Sequence, residues 1–182
     1  RLFEYLNEMP ISQVLLPEVE ADDIIAYVTQ MGSLKGWQKV IVSSDKDFFQ
    51  LCDEETVLFR PVQKEVLNQA RISEKFGIHP TNMALARAMA GDKSDNLPGV
   101  PGAGLKSIAK RFPFLAEEKT CDLKTLFDYC ESLDSNLKIF TGVLENKEVI
   151  EENYKIMQLY SPSISVQGKN KICYAIEEAE QQ

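Results

Sequence analysis

A three-residue run of β-branched side chains, Val40-Ile41-Val42, limits the fold more than any other feature of the sequence. The run lies between segments of helical periodicity and ends in a polar turn, so it is too short for a helix of its own. A strand that is apolar on both faces is typical of a buried parallel sheet. Residues 56–62 predict a second strand, whose end Pro61 places near a sheet edge.

Helical periodicity recurs on both sides of these strands. Residues 17–32, 66–76, 81–91 and 105–112 repeat apolar positions three or four apart, and proline or glycine marks several of their ends. Residues 123–160 are mostly helical in pattern, with charged breaks around Asp134 and Glu145, while the last twenty residues show no clear pattern. Helices interleaved with short apolar strands predict an α/β layer fold with a helical subdomain behind it.

Composition excludes some classes of protein. No apolar run approaches the roughly 20 residues of a membrane span, and no signal peptide is apparent. The four cysteines have no metal-binding spacing, which favours free thiols in a reducing cytoplasm. The net charge of −8 argues against a general nucleic-acid-binding surface, because attraction to phosphate needs a local density of cations. A local basic face therefore has to be sought by position.

Three acidic clusters differ from ordinary surface charge. Their members lie in the first turn of a helix, directly after the Val40–Val42 run, and around the turn after a helix that ends in Gly91; they are Glu20, Asp22 and Asp23, then Asp45 and Asp47, then Asp92 and Asp95. Each cluster alone has an ordinary interpretation, as helix-terminal acids, a solvated turn or an Asx turn.

Taken together, the clusters predict a metal site. Ligand sites in open α/β sheets lie beyond the carboxyl ends of the strands, where Asp45 and Asp47 must be. Up to seven gathered carboxylates would repel one another unless cations neutralised them. Oxygen ligands without organised His or Cys select Mg²⁺ or Mn²⁺. Two such ions are a known device for cleaving phosphodiesters, so the clusters indicate a metal-dependent phosphodiesterase.

The turn after the last acidic cluster is rich in glycine and proline. Pro98 and Pro101 fix φ, whereas three glycines permit positive φ and close backbone approach; these are Gly99, Gly102 and Gly104. A helix with three cations follows, and these are Lys106, Lys110 and Arg111. A tight loop followed by solvated lysines is the ordinary alternative. The turn lacks the P-loop pattern. It fits a helix–hairpin–helix clamp that grips phosphates without reading bases.

Three segments carry a resemblance to a known family: VEADD from Val19, VIVSSDKDFFQL from Val40 and MAGDKSDNLPGVPGAGLKSIAK from Met89. Over roughly the first 115 residues, the chain resembles the 5′-nuclease superfamily: flap endonucleases, bacteriophage 5′→3′ exonucleases and the 5′-nuclease domain of DNA polymerase I. The resemblance implies a PIN-like three-layer nuclease core with a parallel sheet, of which residues 1–80 are the carboxyl-terminal part. It also implies a helix–three-turn–helix DNA-binding motif in residues 81–115. Beyond it, the helical pattern predicts that residues 116–182 are a helical region that packs back on the core.

The resemblance also implies an activity. This is Mg²⁺- or Mn²⁺-dependent hydrolysis of 5′ flaps with 5′→3′ exonuclease action, on DNA and on RNA primers annealed to DNA, in replication and repair. The seven acidic residues correspond to the family's metal ligands, and the hairpin around Val100 and Gly102 corresponds to a K⁺ site against the DNA. Polymerases and single-strand-binding proteins are the implied partners, in a bacterial or phage-infected cytoplasm.

One departure from the family keeps two alternatives open. Family members begin with a strand that bears a metal-binding Asp, followed by a Lys/Arg-rich helical arch, and this sequence is expected to start just after the arch. A shortened or cleaved product, or a piece of a longer chain, fits that expectation. A catalytically incomplete DNA-binding scaffold is therefore an alternative function. A PIN-type ribonuclease is another, although it would have no reason to carry the glycine-rich clamp.

Overall fold

The structure, a computed structural model, describes residues 2–6, 8–133 and 135–180. Three short strands and a larger number of helices alternate in the first half of the chain, and helices alone make up the second half. In chain order the elements are α1 (Leu2–Leu6), α2 (Ala21–Thr29), β1 (Lys39–Val42), β2 (Thr56–Arg60), β3 (Glu65–Leu67), α3 (Gln69–Phe76), α4 (Met83–Ala90), α5 (Leu105–Arg111), α6 (Leu123–Ser132), α7 (Lys138–Glu145), α8 (Lys147–Met157) and α9 (Val166–Glu180).

The strands form one mixed sheet in the order β1-β2-β3, which confirms the α/β prediction. β1 and β2 are parallel, with Val40 opposite Val57, and β3 runs antiparallel to β2. β2 is thus the middle strand of the described sheet, and Pro61 lies just beyond its end. The prediction that a helix begins at Val66 was wrong, because that residue pairs with β2. The helix begins only after Asn68, whose side chain accepts a hydrogen bond from the Arg71 amide at 2.9 Å.

The prediction that β1 is buried on both faces was also wrong. Ile41 is buried in the core, but the Val40 and Val42 side chains are 56% and 65% exposed. Successive side chains of a strand point to opposite faces, and the core lies on the Ile41 side only. On the other side, β1 and α2 border an apolar groove of about 360 Å³. A β-branched run indicates a strand, but it does not show whether a second layer covers it.

The connection from β1 to β2 fixes the first part of the site. Ser43 and Ser44 follow the strand, and a 3₁₀ turn over Asp47–Leu51 then buries Phe48, Phe49 and Leu51 in the core. This burial holds the polar residues between strand and turn at the carboxyl end of β1. The predicted position of the strand-end acids is confirmed.

Helix α4 is the centre of the second half. Every residue from Met83 to Met89 is buried, and α8 packs along the helix. Beyond it, α5 and α6 meet at an aromatic cluster in which the Phe112 ring contacts those of Phe114, Tyr129 and Phe140 at centroid distances of 5.5 to 6.0 Å. The burial of α4 on all sides makes it a rigid support for the residues at its carboxyl end.

The carboxyl-terminal helices extend the sequence prediction. The break predicted at Glu145 is confirmed, since α7 ends there, whereas Asp134 lies outside the described residues. Helix α9, for which the sequence showed no pattern, contributes to a small second cluster with Leu16, Ile164 and Ile172 buried. The cysteines are unpaired, as predicted. In the described part of the chain, no helix combines the length and apolarity needed to cross a lipid bilayer.

Candidate functional site

The acids after β1 are held by a tight polar turn. The Asp45 amide donates to the Ser43 hydroxyl at 3.1 Å, and the Asp47 amide donates to Asp45 Oδ1 at 2.9 Å. Asp45 is exposed, while the Asp47 side chain is only 16% exposed because it leans toward α4. The two carboxylates thus have different surroundings although they are two residues apart.

The acids after α4 lie in a loop that closes on itself. Gly91 ends the helix with φ +72°, and the backbones of Asp92 and Leu97 then pair through hydrogen bonds of 3.0 and 2.8 Å. Asp92 Oδ1 accepts from the Ser94 amide at 2.8 Å and also from the Ser94 hydroxyl. Asp95 is exposed on the same loop. The loop therefore fixes Asp92 and leaves Asp95 open to solvent.

Arg87 joins these two segments. Its side chain is 5% exposed; Nη1 donates to Asp47 Oδ1, and Nη2 donates to Asp92 Oδ2 at 2.7 Å. Sequence reasoning missed this residue, although a signal was present. A single cation in the apolar helix MALARAMA could be buried only with an anionic partner.

The acids of α2 are less closely associated with this group. Glu20 is the N-cap residue and is exposed, and Asp22 and Asp23 lie in the first helical turn. No hydrogen bond or ion pair of the described residues joins Glu20 or Asp23 to the acids after β1 or α4. Burial raises the pKa of Asp23, and the neighbouring Asp22 raises it further.

The electrostatics of Asp47 show that several of the carboxylates influence one another. Burial raises the pKa of Asp47 to about 6; the Arg87 guanidinium opposes this shift, and the charges of Asp45, Asp95 and Asp22 add to it. In contrast, hydrogen bonds from Ser94 and the nearby Arg87 hold the pKa of Asp92 below its usual range, against the effect of burial. Carboxylates from three segments of the chain therefore repel one another here.

The donor types fit a hard divalent cation, but the spacing does not complete a ligand set. Asp45, Asp92 and Asp95 line a cavity of about 290 Å³ together with Ser44, Lys46 and Ser94. All the acidic donors are oxygens, which is the chemistry that Mg²⁺ and Mn²⁺ prefer. Within residues 2–6, 8–133 and 135–180, no three Asp, Glu, His or Cys side chains are close enough to hold a metal ion. The predicted metal ligands stay a prediction.

The glycine-rich turn is packed directly against the end of α4. A Cβ on Gly99 would lie 2.0 Å from the Ala90 carbonyl oxygen, so only glycine allows this approach. Gly102 has φ +79°, which also favours glycine. Gly104 has an ordinary φ of −70° and open space around its Cα, so of the two properties that the glycines permit, Gly99 uses the close backbone approach, Gly102 uses the positive φ and Gly104 uses neither.

Two further contacts hold this turn in place. The Val100 amide donates to the Met89 carbonyl at 2.8 Å, and the Val100 side chain is buried. From α8, the buried Asn153 amide donates to the carbonyls of Ala88 and Pro98 at 3.0 and 2.8 Å. Asn153 was not predicted, because both of its partners are distant in the sequence. It ties the turn to α4, the helix that also leads into the acidic loop.

The predicted cationic face follows on α5. Lys106, Lys110 and Arg111 are exposed, and none of them takes part in an ion pair of the described residues. Ile108 on the opposite side of the helix is fully buried. The helix thus presents a local group of positive charges in a chain whose net charge is negative.

Comparison with known proteins gives consistent matches. A family model described as the 5′-3′ exonuclease, N-terminal resolvase-like domain matches residues 1–77. A 5′-3′ exonuclease of Aquifex aeolicus is 32% identical over 160 residues, which are 87% of this chain and 51% of that protein. The thermostable DNA polymerase I of Thermus aquaticus is 34% identical over 107 residues, which are 59% of this chain and 13% of the polymerase. The chain spans about half the length of the curated exonucleases it matches.

Solved structures show the same fold. A bacteriophage T5 flap endonuclease, in a pseudo-enzyme–product complex with DNA and metal ions, matches with a TM-score of 0.78 at 20% identity over 99% of this chain and 66% of that chain. The T5 5′-exonuclease with bound zinc matches with a TM-score of 0.70 at 20% identity, covering 91% of this chain and 60% of that chain. The family-model match, the sequence relatives and the shared fold together confirm the resemblance of this chain to the 5′-nuclease superfamily.

Proposed function

We propose that the protein is a structure-specific 5′-nuclease that hydrolyses phosphodiesters in flapped or branched DNA and has 5′→3′ exonuclease action. One observation carries the proposal. Carboxylates from the ends of β1 and α4 converge on one cavity, beside a tight turn that is followed by three exposed cations. The names of the relatives, 5′-3′ exonuclease and flap endonuclease, support the same activity.

The proposed chemistry depends on divalent cations, Mg²⁺ or Mn²⁺. Asp45, Asp92 and Asp95 would hold them at the cavity, with Asp22 and Asp47 nearby and Glu20 and Asp23 completing the predicted set. When bound, such ions lower the pKa of the attacking water and stabilise the leaving oxyanion. The chain's own contribution is to fix the Asp92 carboxylate through Ser94 and Arg87 and to exclude water around Asp47.

The proposed DNA contact is the segment after the acidic loop. The backbone at Gly99, Val100, Gly102 and Gly104 would approach the phosphates, with a K⁺ ion at Val100 and Gly102, and Lys106, Lys110 and Arg111 would supply positive charge. The Val100 carbonyl already accepts from the Ala103 amide at 3.0 Å, which leaves one of its lone pairs for such an ion. In this proposal, residues 81–115 form the DNA-binding motif, residues 1–80 belong to the nuclease core, and residues 116–182 support both.

Cleavage by an aspartate variant tests the catalytic part. Asp45→Asn is expected to lower the rate on a 5′-flap duplex in Mg²⁺ or Mn²⁺ by more than about 100-fold, because a lost metal ligand removes several kcal/mol of charge stabilisation. The matched control is Asp128→Asn, at an exposed aspartate of α6. A wild-type rate in Asp45→Asn would reject the site. DNA binding without cleavage by the wild-type protein would instead favour the scaffold function.

Salt dependence tests the binding part. Lys106→Ala combined with Lys110→Ala is expected to weaken DNA binding and to reduce the log–log salt slope by roughly 0.9 for each lost phosphate contact. Lys155→Ala combined with Lys171→Ala removes equal charge from other exposed positions and is expected to leave the slope unchanged. Equal slopes for the two double variants would reject the proposed clamp. Competition with an RNA-primed duplex and with single-stranded RNA would show whether RNA is also a substrate.

A further inference from the structure

Arg87 stands out as the most deeply buried cation at the site. It lies in the middle of α4, whose other residues from Met83 to Met89 are apolar and buried, and its side chain is 5% exposed. A guanidinium in such surroundings is unfavourable unless opposite charges and hydrogen bonds compensate it. Both compensating groups are members of the proposed metal set, so Arg87 is part of the site's own charge balance.

The guanidinium joins two acids that are distant in the sequence. Asp47 is 40 residues away and Asp92 is five residues away, and each binds a different terminal nitrogen. A planar fork can hold two carboxylates in a fixed relative orientation, whereas a lysine ammonium acts as a single point charge. Arg87 thereby sets the position of the loop after β1 relative to the loop after α4.

The bonds also determine which oxygens remain for other partners. Arg87 uses Oδ1 of Asp47 and Oδ2 of Asp92, and Ser94 uses the second oxygen of Asp92. Among the described residues, no hydrogen bond that the structure gives uses Oδ2 of Asp47. The charges of Asp22, Asp45 and Asp95 act on the same region. The buried charge of Arg87, together with the exposed Lys46 at the cavity, therefore faces five carboxylates.

We propose that Arg87 is a positioning residue and an internal counter-cation: it holds the Asp47 and Asp92 carboxylates together before a divalent ion binds, and it moderates the affinity for that ion. The inference rests on the proposed nuclease function for its role in catalysis. Its structural part concerns only the charge balance of the site and can be measured without cleavage.

Two substitutions separate charge from geometry. Arg87→Met removes the positive charge and the planar group that contacts two carboxylates, whereas Arg87→Lys keeps the positive charge and loses that planar group. In EDTA, Arg87→Met is expected to melt roughly 6–20 °C below the wild type, because it leaves two partly buried carboxylates unpaired. The melting temperature of Arg87→Lys in EDTA is expected to fall by less than that of Arg87→Met. Mn²⁺ should narrow the difference in melting temperature from the wild type for both variants, since a bound ion would hold carboxylates that the guanidinium no longer joins.

Direct Mn²⁺ binding, measured by electron paramagnetic resonance of the free ion, provides the second readout. Arg87→Met is expected to bind Mn²⁺ about fivefold more tightly than Arg87→Lys, because a positive charge next to the ion has been removed. Both variants should cleave more slowly than the wild type. A purely structural arginine would not produce this combination, in which Arg87→Met binds Mn²⁺ more tightly than Arg87→Lys while both variants cleave more slowly than the wild type.

The outcomes are distinguishable. Gaps in melting temperature that are equal in EDTA and in Mn²⁺, or Mn²⁺ affinities that are equal in the two variants, would overturn the inference. If Arg87→Met does not fold, an Arg87→Lys protein whose gap to the wild type stays constant on adding Mn²⁺ would overturn it as well. Absence of cleavage by the wild type, with the expected Mn²⁺ responses intact, would reject the nuclease proposal and support the role of Arg87.

Discussion

The close approach of Gly99 to Ala90 makes a prediction whose size follows from the geometry. An alanine Cβ at position 99 would lie 2.0 Å from the Ala90 carbonyl oxygen and 2.3 Å from its carbon. Real Cβ atoms essentially never come closer than 3.0 Å to another heavy atom, so the two backbones would have to separate by about 1 Å or more. The obstacle is backbone on both sides, and no side-chain rotation can relieve it.

The expected cost has two parts. Overpacking of a close contact costs roughly 1–3 kcal/mol, and loss of the neighbouring hydrogen bond between the Val100 amide and the Met89 carbonyl adds about 1 kcal/mol. For a chain of this length, each kcal/mol lowers the melting temperature by roughly 2–4 °C. Gly99→Ala is therefore expected to melt roughly 4–16 °C below the wild type in a calorimetric or circular-dichroism scan.

Gly104 provides the matched control within the same turn. Its φ is −70°, and a Cβ would meet nothing within 4 Å. Gly104→Ala reduces the freedom of the unfolded chain but gives a poorer N-cap for α5, so we expect its melting temperature to stay within about 2 °C of the wild type. Equal melting temperatures for the two alanine variants would refute the packing argument.

Three further predictions concern other contacts. Asn153→Ala, with the exposed Glu152→Ala as control, is expected to lose about 1–3 kcal/mol in denaturant unfolding, because two carbonyls lose their buried donor. Burial lowers the pKa of His79 in the folded protein below the unfolded-state pKa of 6.5. The stability that neutral His79 contributes is therefore present above pH 6.5 and is lost as the pH falls through the folded-state pKa. His79→Gln should flatten the plot of melting temperature against pH in this acidic range. Val42→Thr is expected to change stability by less than about 0.5 kcal/mol, whereas Ile41→Ala should cost about 2–5 kcal/mol, a contrast that a strand buried on both faces would not show.

Local signals were sufficient for much of the fold. The β-branched run, the polar turn after it and the helix stop at Gly91 depend on neighbouring residues only, and each lies where the sequence predicted. The same holds for the α5 stripe, in which Ile108 is buried while the lysines are exposed. Propensity and periodicity act within a few residues, so these elements could be read without knowledge of the tertiary structure.

The features that the sequence did not predict correctly share a physical cause. Strand β3 forms because its backbone pairs with β2, and that tertiary pairing overrides a helical pattern at Val66. Arg87 and Asn153 act on partners 40 and 65 residues away, and no periodicity reports such distances. The exposure of Val40 depends on which layers are present above the sheet, and a strand's own sequence does not contain that information.

Local sequence and tertiary packing also make different contributions to the site. Local sequence places acids at the carboxyl ends of β1 and α4, but it does not bring them together. Their convergence depends on α4, which carries Arg87 toward both acids and holds the glycine turn through Gly99 and Asn153. Because one buried helix supports both the carboxylate cluster and the turn before the cationic helix, a shift of α4 should change metal binding and DNA binding together. We therefore expect substitutions that loosen α4 to alter both properties in parallel, and independent changes would mean that the two sites are supported separately.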